Sequence, residues 1–132
     1  MSSFDPKMKI LVVDDMSTMR KIIRNMLTKL GCTNILEADD GLPAWELIDK
    51  NAKEGAPVQF IMSDWNMPGM TGLDLLKKCR ADERFKKTPF LMITAEGEQG
   101  NVVEAVKAGV SNFVVKPFSN AVLEDKIAKI FK

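Results

Sequence analysis

Met8-Lys9-Ile10-Leu11-Val12-Val13-Asp14-Asp15 is a compact apolar run that stops abruptly in two carboxylates, and it reads as a buried strand. After it, Met19, Ile22, Ile23, Met26, Leu27 and Leu30 repeat at the spacing of one helical stripe. Ser17 stands where an N-cap belongs and Gly31 where a C-cap belongs. A strand that enters a helix through a polar turn is therefore the first unit of the chain, and the rest repeats it.

Ile35-Leu36 centres a short second strand at a sheet edge. Pro43 opens a second helix through Leu47 and Ile48, because a missing N–H costs nothing in a first turn. Residues 51–57 read as a surface loop, and Val58 to Met62 as a third strand halted at Ser63-Asp64. Leu73, Leu75, Leu76 and Cys79 mark the third helix. Phe90 to Ile93 is a fourth strand ending at Thr94; Val102, Ala105, Val106 and Gly109 suggest the fourth helix. Phe113 to Val115 is the fifth strand, ending at Lys116-Pro117, where a cis bond is a candidate. Ser119 caps a last helix with Val122, Leu123, Ile127, Ile130 and Phe131 inward. Strict alternation of strand and helix argues for an α/β fold, a parallel sheet covered on both faces. Right-handed crossovers favour the flavodoxin-like, doubly wound strand order 2-1-3-4-5.

The bulk numbers suit one domain spanning residues 1–132, with no separate output domain expected. Nineteen basic against eighteen acidic residues leave a net charge of +1, which gives no reason to expect nucleic acid or an anionic membrane as partner. No apolar run approaches the ~18 residues of a membrane span, and the start lacks the apolar core of a secretory signal. Cys32 and Cys79 form no framework, so reduced thiols in the cytoplasm are expected. The absence of histidine excludes imidazole acid–base catalysis and histidine metal sites.

Chemistry gathers where the strands end. Asp14-Asp15, Asp64, Thr94 and Lys116 follow four of the five strands, and in an open α/β sheet those ends share one edge. Crowded carboxylates repel, and a hard divalent cation relieves them; all-oxygen donors suit Mg²⁺. A carboxylate beside Mg²⁺ can attack a phosphoryl group. Asp64 is the candidate nucleophile, Asp14 and Asp15 hold the metal with Asp64, and the Asn66 backbone carbonyl completes the shell. Lys116 pairs with a phosphoryl oxygen and Thr94 donates its hydroxyl.

These residues resemble the response-regulator receiver family. Val12-Val13-Asp14-Asp15, Asp64-Trp65-Asn66-Met67-Pro68, Thr94-Ala95-Glu96 and Val114-Val115-Lys116-Pro117-Phe118 match its motifs in order, across essentially the whole chain. Ser17-Thr18-Met19-Arg20, Trp65-Asn66 and Glu96 narrow the likeness to its chemotaxis members. The resemblance implies the same strand order, so the preference above is not independent of it. It also implies a phosphoacceptor signalling protein rather than an enzyme, one that assists its own phosphorylation and dephosphorylation. The donor would be a CheA-type histidine kinase and the target a flagellar motor switch protein, with a phosphatase as a further partner and the chain itself a monomer. Asn66 and Glu96 occupy positions that tune dephosphorylation, and Thr94 and Phe113 form the switch. Phe113 is a departure: chemotaxis receivers usually carry tyrosine there, and this chain contains none.

A phosphorelay shuttle with a non-motor target is an alternative output. An aspartyl-phosphate hydrolase of the haloacid dehalogenase type would place its nucleophile near the first strand and add a cap segment. A flavin mononucleotide carrier would need a phosphate cradle where Asp14-Asp15 would repel it. Met19, Met26, Met62 and Met92 read as core filling, whereas Met16, Met67 and Met70 lie in loops near the active edge. Arg84 to Lys87 reads as a solvated turn, and Glu96 to Gly100 as a flexible loop into the fourth helix.

Overall fold

Short apolar runs, near-continuous because the central strands are covered on both faces, build five strands, and the helical stripes between them cover the sheet. In the computed structural model, which describes residues 4–95 and 99–131, the order is β1 (Ile10–Val13), α1 (Ser17–Lys29), β2 (Ile35–Ala38), α2 (Gly41–Lys53), β3 (Phe60–Asp64), α3 (Gly72–Ala81), β4 (Phe90–Ala95), α4 (Gln99–Lys107), β5 (Asn112–Lys116) and α5 (Asn120–Ile130). All neighbouring strands pair in parallel, in the order β2-β1-β3-β4-β5. That is the order expected from the alternation and from the family likeness.

Alternation of side chains along each strand splits the core in two. Ile10, Val12, Phe60, Met62, Leu91, Ile93 and Val114 pack under α1 and α5 with Ile23, Leu27, Leu123 and Ile127. Leu11, Val13, Ile61, Phe90 and Met92 face the other layer with Ala44, Ile48, Leu75, Leu76 and Ala105. Phe131 closes the far end, its ring edge-on to Phe60 at 5.1 Å and to Phe4 at 5.4 Å. Cys32 and Cys79 are free and buried, and burial pushes the Cys79 thiol up to about 12, so both act as core filling. Among the described residues no helix is long and apolar enough to cross a membrane.

Several local expectations are corrected. Ser17 is the first helical residue rather than the cap; Met16 is the N-cap and makes no side-chain cap bond. The Met16 N–H itself donates back to the Asp14 carboxylate at 2.9 Å. Gly31 does follow α1 with φ 93, a left-handed stop that only glycine adopts cheaply. Ile22 is exposed, as is Val122 on α5. Each sits about 100° round the helix from the buried Ile23 and Leu123, beyond the reach of the sheet. Pro43 lies in the first turn of α2 as expected, but Asp40 caps that helix. α2 then runs three residues into the expected loop, to Lys53. Contacts from a distant segment accompany this extension: the Lys9 ammonium donates to Asn51 Oδ1 at 2.7 Å and to the Ala56 carbonyl at 2.8 Å. Met67, expected in a loop at the active edge, is buried there.

Residues 84–87 are not uniformly solvated. Phe85 is buried with its ring edge-on to Trp45 at 5.7 Å, while Arg84 turns outward to Asp49 and Asp82. Phe85→Ala is therefore expected to destabilise the protein by about 3–5 kcal/mol in urea unfolding, as a lost core aromatic does. Lys87→Ala on the same turn is expected to change stability by less than about 0.5 kcal/mol.

Candidate functional site

Register along the sheet determines which strand-end residues meet. Ile10 pairs with Phe60 and Val12 with Met62, so one more step along both strands sets Asp14 beside Asp64. Ile93 pairs with Val114 and Ala95 with Lys116, which brings Lys116 to the same edge. The side chains follow this layout: one carboxylate oxygen each from Asp14, Asp15 and Asp64 lie within 4.8 Å of one another. Lys116 Nζ stands 3.3 Å from Asp14 Oδ2 and 3.3 Å from Asp64 Oδ1. The Lys116–Pro117 bond is cis.

Three carboxylates and the Lys116 ammonium together carry two formal negative charges. Asp14 and Asp64 are buried and Asp15 is exposed, so the cluster opens to solvent on the Asp15 side. Burial first and the Asp14 charge second raise the Asp64 carboxyl above the ordinary aspartate range, against the pull of Lys116 and the Trp65 N–H. The donors are all oxygen and the deficit is two charges, which fits a hard divalent cation. Asn66, two residues after β3, lines an open groove of ≈ 300 Å³ with Asp15, Met67, Pro68 and Thr71.

Thr94 lies against the opposite side of β4, on the parity of Met92. Its hydroxyl is buried and has no hydrogen-bond partner among the described residues. A lone buried hydroxyl costs stability, so a site that keeps one gains from an acceptor arriving later. Phe113 pairs with Met92 and therefore shares the Thr94 face of the sheet. Its ring is half-buried, with Lys126 Nζ 5.0 Å above it. Glu96 lies outside the described residues.

Two positioning contacts are not given by the sequence pattern, although Arg20 itself stands in the Ser17-Thr18-Met19-Arg20 stretch of the family likeness. The first turn of α3 presses on the end of β3: a Cβ at Gly72 would overlap the Asp64 carbonyl oxygen, so that residue must be glycine. Arg20, at the end of the first turn of α1, donates from Nη1 to the Asp14 carbonyl oxygen at 2.7 Å. A glycine at a helix start and an arginine on an amphipathic helix are both common, so neither stands out by composition.

Residues 10–128 match the family model of the response regulator receiver domain. A chemotaxis protein CheY of Pseudomonas aeruginosa is 54% identical over 125 residues, 95% of this chain and 97% of that protein. Among solved structures, the chemotaxis protein CheY4 of Vibrio cholerae is 32% identical and superposes with a TM-score of 0.81, over 95% of this chain and 99% of that one. The receiver domain of the sensor histidine kinase PA1611 of Pseudomonas aeruginosa, solved with a magnesium ion coordinated in its active-site cleft, is 26% identical with a TM-score of 0.77, over 92% and 94% of the two chains.

Asp64→Asn removes one repelling charge from a buried cluster. With divalent ions chelated, the variant is expected to melt several degrees above the wild type at neutral pH. A carboxyl raised in the folded state favours folding while protonated and loses that advantage as pH rises through its folded value. The gap between variant and wild type should thus be small below about pH 3.9, the unfolded value, and widen as pH rises. Thermal melts in chelator across that range measure it, and a gap that shrinks toward neutrality contradicts the assignment.

Proposed function

The chain belongs to the response regulator receiver family, and from that membership we propose that it is a single-domain phosphoacceptor switch of chemotaxis, acting as a cytoplasmic monomer. The observation that carries the proposal is the meeting of Asp14, Asp15 and Asp64 around the Lys116 ammonium at the carboxyl edge of the sheet. Similarity to proteins named for chemotaxis supports the pathway, and the magnesium in the kinase receiver domain supports Mg²⁺ as the ion.

Asp14, Asp15 and Asp64, with the Asn66 backbone carbonyl, would hold Mg²⁺. Once bound, the ion neutralises carboxylate and phosphoryl charge. The Asp64 carboxylate attacks the phosphorus of a phosphohistidine on a CheA-type kinase. An O–P bond forms as the N–P bond breaks, and the imidazole leaves with the electron pair. Lys116, now shared between two carboxylates, turns its ammonium to a phosphoryl oxygen. The buried Thr94 hydroxyl donates to another, which satisfies a donor that was without a partner. Space opened behind Thr94 admits the Phe113 ring, and the face formed by α4, β5 and α5 changes for a flagellar motor switch protein. Water reverses the modification by attack on the same phosphorus, with Asn66 and Glu96 tuning its approach and a phosphatase as a further partner. The chain is thus a signalling protein whose own residues assist its phosphorylation and dephosphorylation.

Acetyl phosphate with Mg²⁺ is expected to place a hydroxylamine-sensitive phosphate on Asp64, located by mass spectrometry. Asp64→Asn should take none. Phosphate found on a serine, a threonine or another aspartate overturns the assignment. Phe113→Ala should label normally yet lose most of the phosphate-dependent gain in binding to the motor switch protein, while Phe113→Tyr keeps it.

A further inference from the structure

Asp14 is held through three of its groups, and one of these holds falls on the peptide that joins it to Asp15. The Asp14 N–H donates to the Ala38 carbonyl of β2 at 3.1 Å, and the Asp14 carboxylate accepts the Met16 N–H at 2.9 Å. The third hold is the Arg20 guanidinium, whose Nη1 donates to the Asp14 carbonyl oxygen at 2.7 Å. A peptide unit is planar, so securing that oxygen also orients the Cα of Asp15, the exposed member of the acidic cluster.

Arg20 is itself secured. Its Nε lies 3.2 Å from Glu37 Oε1 on β2, and its side chain is 18% exposed, which shields the bond from competing water. Arg24, one turn on, takes the other Glu37 oxygen at 2.9 Å and donates to the Ile35 carbonyl at 3.1 Å. Hydrogen bonds from Arg24 and then Arg20 hold the Glu37 carboxyl below the usual glutamate range. Two arginines thus share one carboxylate, but only Arg20 extends from it to the turn that carries the carboxylates.

We infer that Arg20 is a positioning residue for divalent-cation binding: its guanidinium bridges Glu37 and the Asp14 carbonyl, and so aims the Asp15 carboxylate into the site. The inference rests on the reading of Asp14, Asp15 and Asp64 as a Mg²⁺ site. Charge and geometry make opposite demands here. A cation beside a cation site repels the incoming ion, so by charge alone the loss of Arg20 should tighten Mg²⁺ binding. Loss of an orienting partner should weaken it, by about tenfold at the low end of what such outer partners contribute.

Mg²⁺ titration of the full chain, followed by tryptophan fluorescence and calorimetry, separates the two. Arg20→Ala is expected to bind Mg²⁺ about tenfold more weakly than the wild type. Arg24→Ala removes an equal charge and the same Glu37 contact but no bond to Asp14, and should bind within about twofold of wild type on that ground. Arg20→Lys keeps the charge without the two-pronged fork, and should fall between wild type and Arg20→Ala. Where Arg20→Ala fails to fold, Arg20→Lys becomes the deciding variant. Affinity equal to or tighter than wild type in the deciding variant overturns the inference, as does an equal loss in Arg24→Ala. A wild type that shows no response to Mg²⁺ defeats the underlying metal reading instead.

Discussion

One ammonium shared between two buried carboxylates is the constraint on which the active edge depends. Asp14 and Asp64 stand on adjacent parallel strands, in a register that leaves them no room to separate. Lys116 reaches both from β5, at the far side of the sheet from β1. Burying two like charges with a single counter-charge is costly, and the raised Asp64 carboxyl records it. The sheet tolerates the arrangement because its two apolar layers are extensive and well filled. A site that stays electrostatically unsatisfied is primed for ligands that correct it; under the proposed function these are a dication and then a phosphoryl group placed by Lys116.

The two sides of β4 divide the labour. Asp14, Asp64 and Lys116 share the parity of the layer under α1 and α5, whereas Thr94 and Phe113 belong to the layer under α3 and α4. Under the proposed function, charge chemistry therefore occurs on one face and its consequence is read on the other. Thr94 connects them, because its hydroxyl has no partner among the described residues and gains one when an anion arrives nearby.

The clustering of the candidate residues was legible in the sequence because each ends an apolar run, and a parallel sheet gathers all such ends on one edge. Asp14, Asp15, Asp64 and Lys116 meet there as that topology requires. What escaped depends on contacts between segments distant in the chain. Asn51, in the last turn of α2, is also tied through its side chain to Lys9, 42 residues earlier. Phe85 is core because Trp45 offers it a ring edge, although its neighbours are charged. Gly72 and Arg20 matter through backbone atoms of Asp64 and Asp14, and backbone atoms leave no trace in composition. Helical period placed Ile22 on the buried stripe, but the width of that stripe is set by how closely the sheet approaches.

Phenylalanine at position 113 changes the balance of the proposed switch more than its mechanism. A cation over an exposed aromatic ring contributes about 0.5–1 kcal/mol, and Lys126 supplies one to the half-buried Phe113. Completing the burial of a ring already half covered contributes half of the ~1.5–3 kcal/mol of a full phenylalanine, or about 1 kcal/mol. The two states of the ring thus lie close in energy, and no hydroxyl is present to favour either by hydrogen bonding. A nearly balanced element is moved by a small bias, and the Thr94 hydroxyl turning toward a phosphoryl oxygen provides one by vacating the space the ring needs. Within the proposed function, the ring needs no large energy of its own, because occupancy of the site behind Thr94 decides its position.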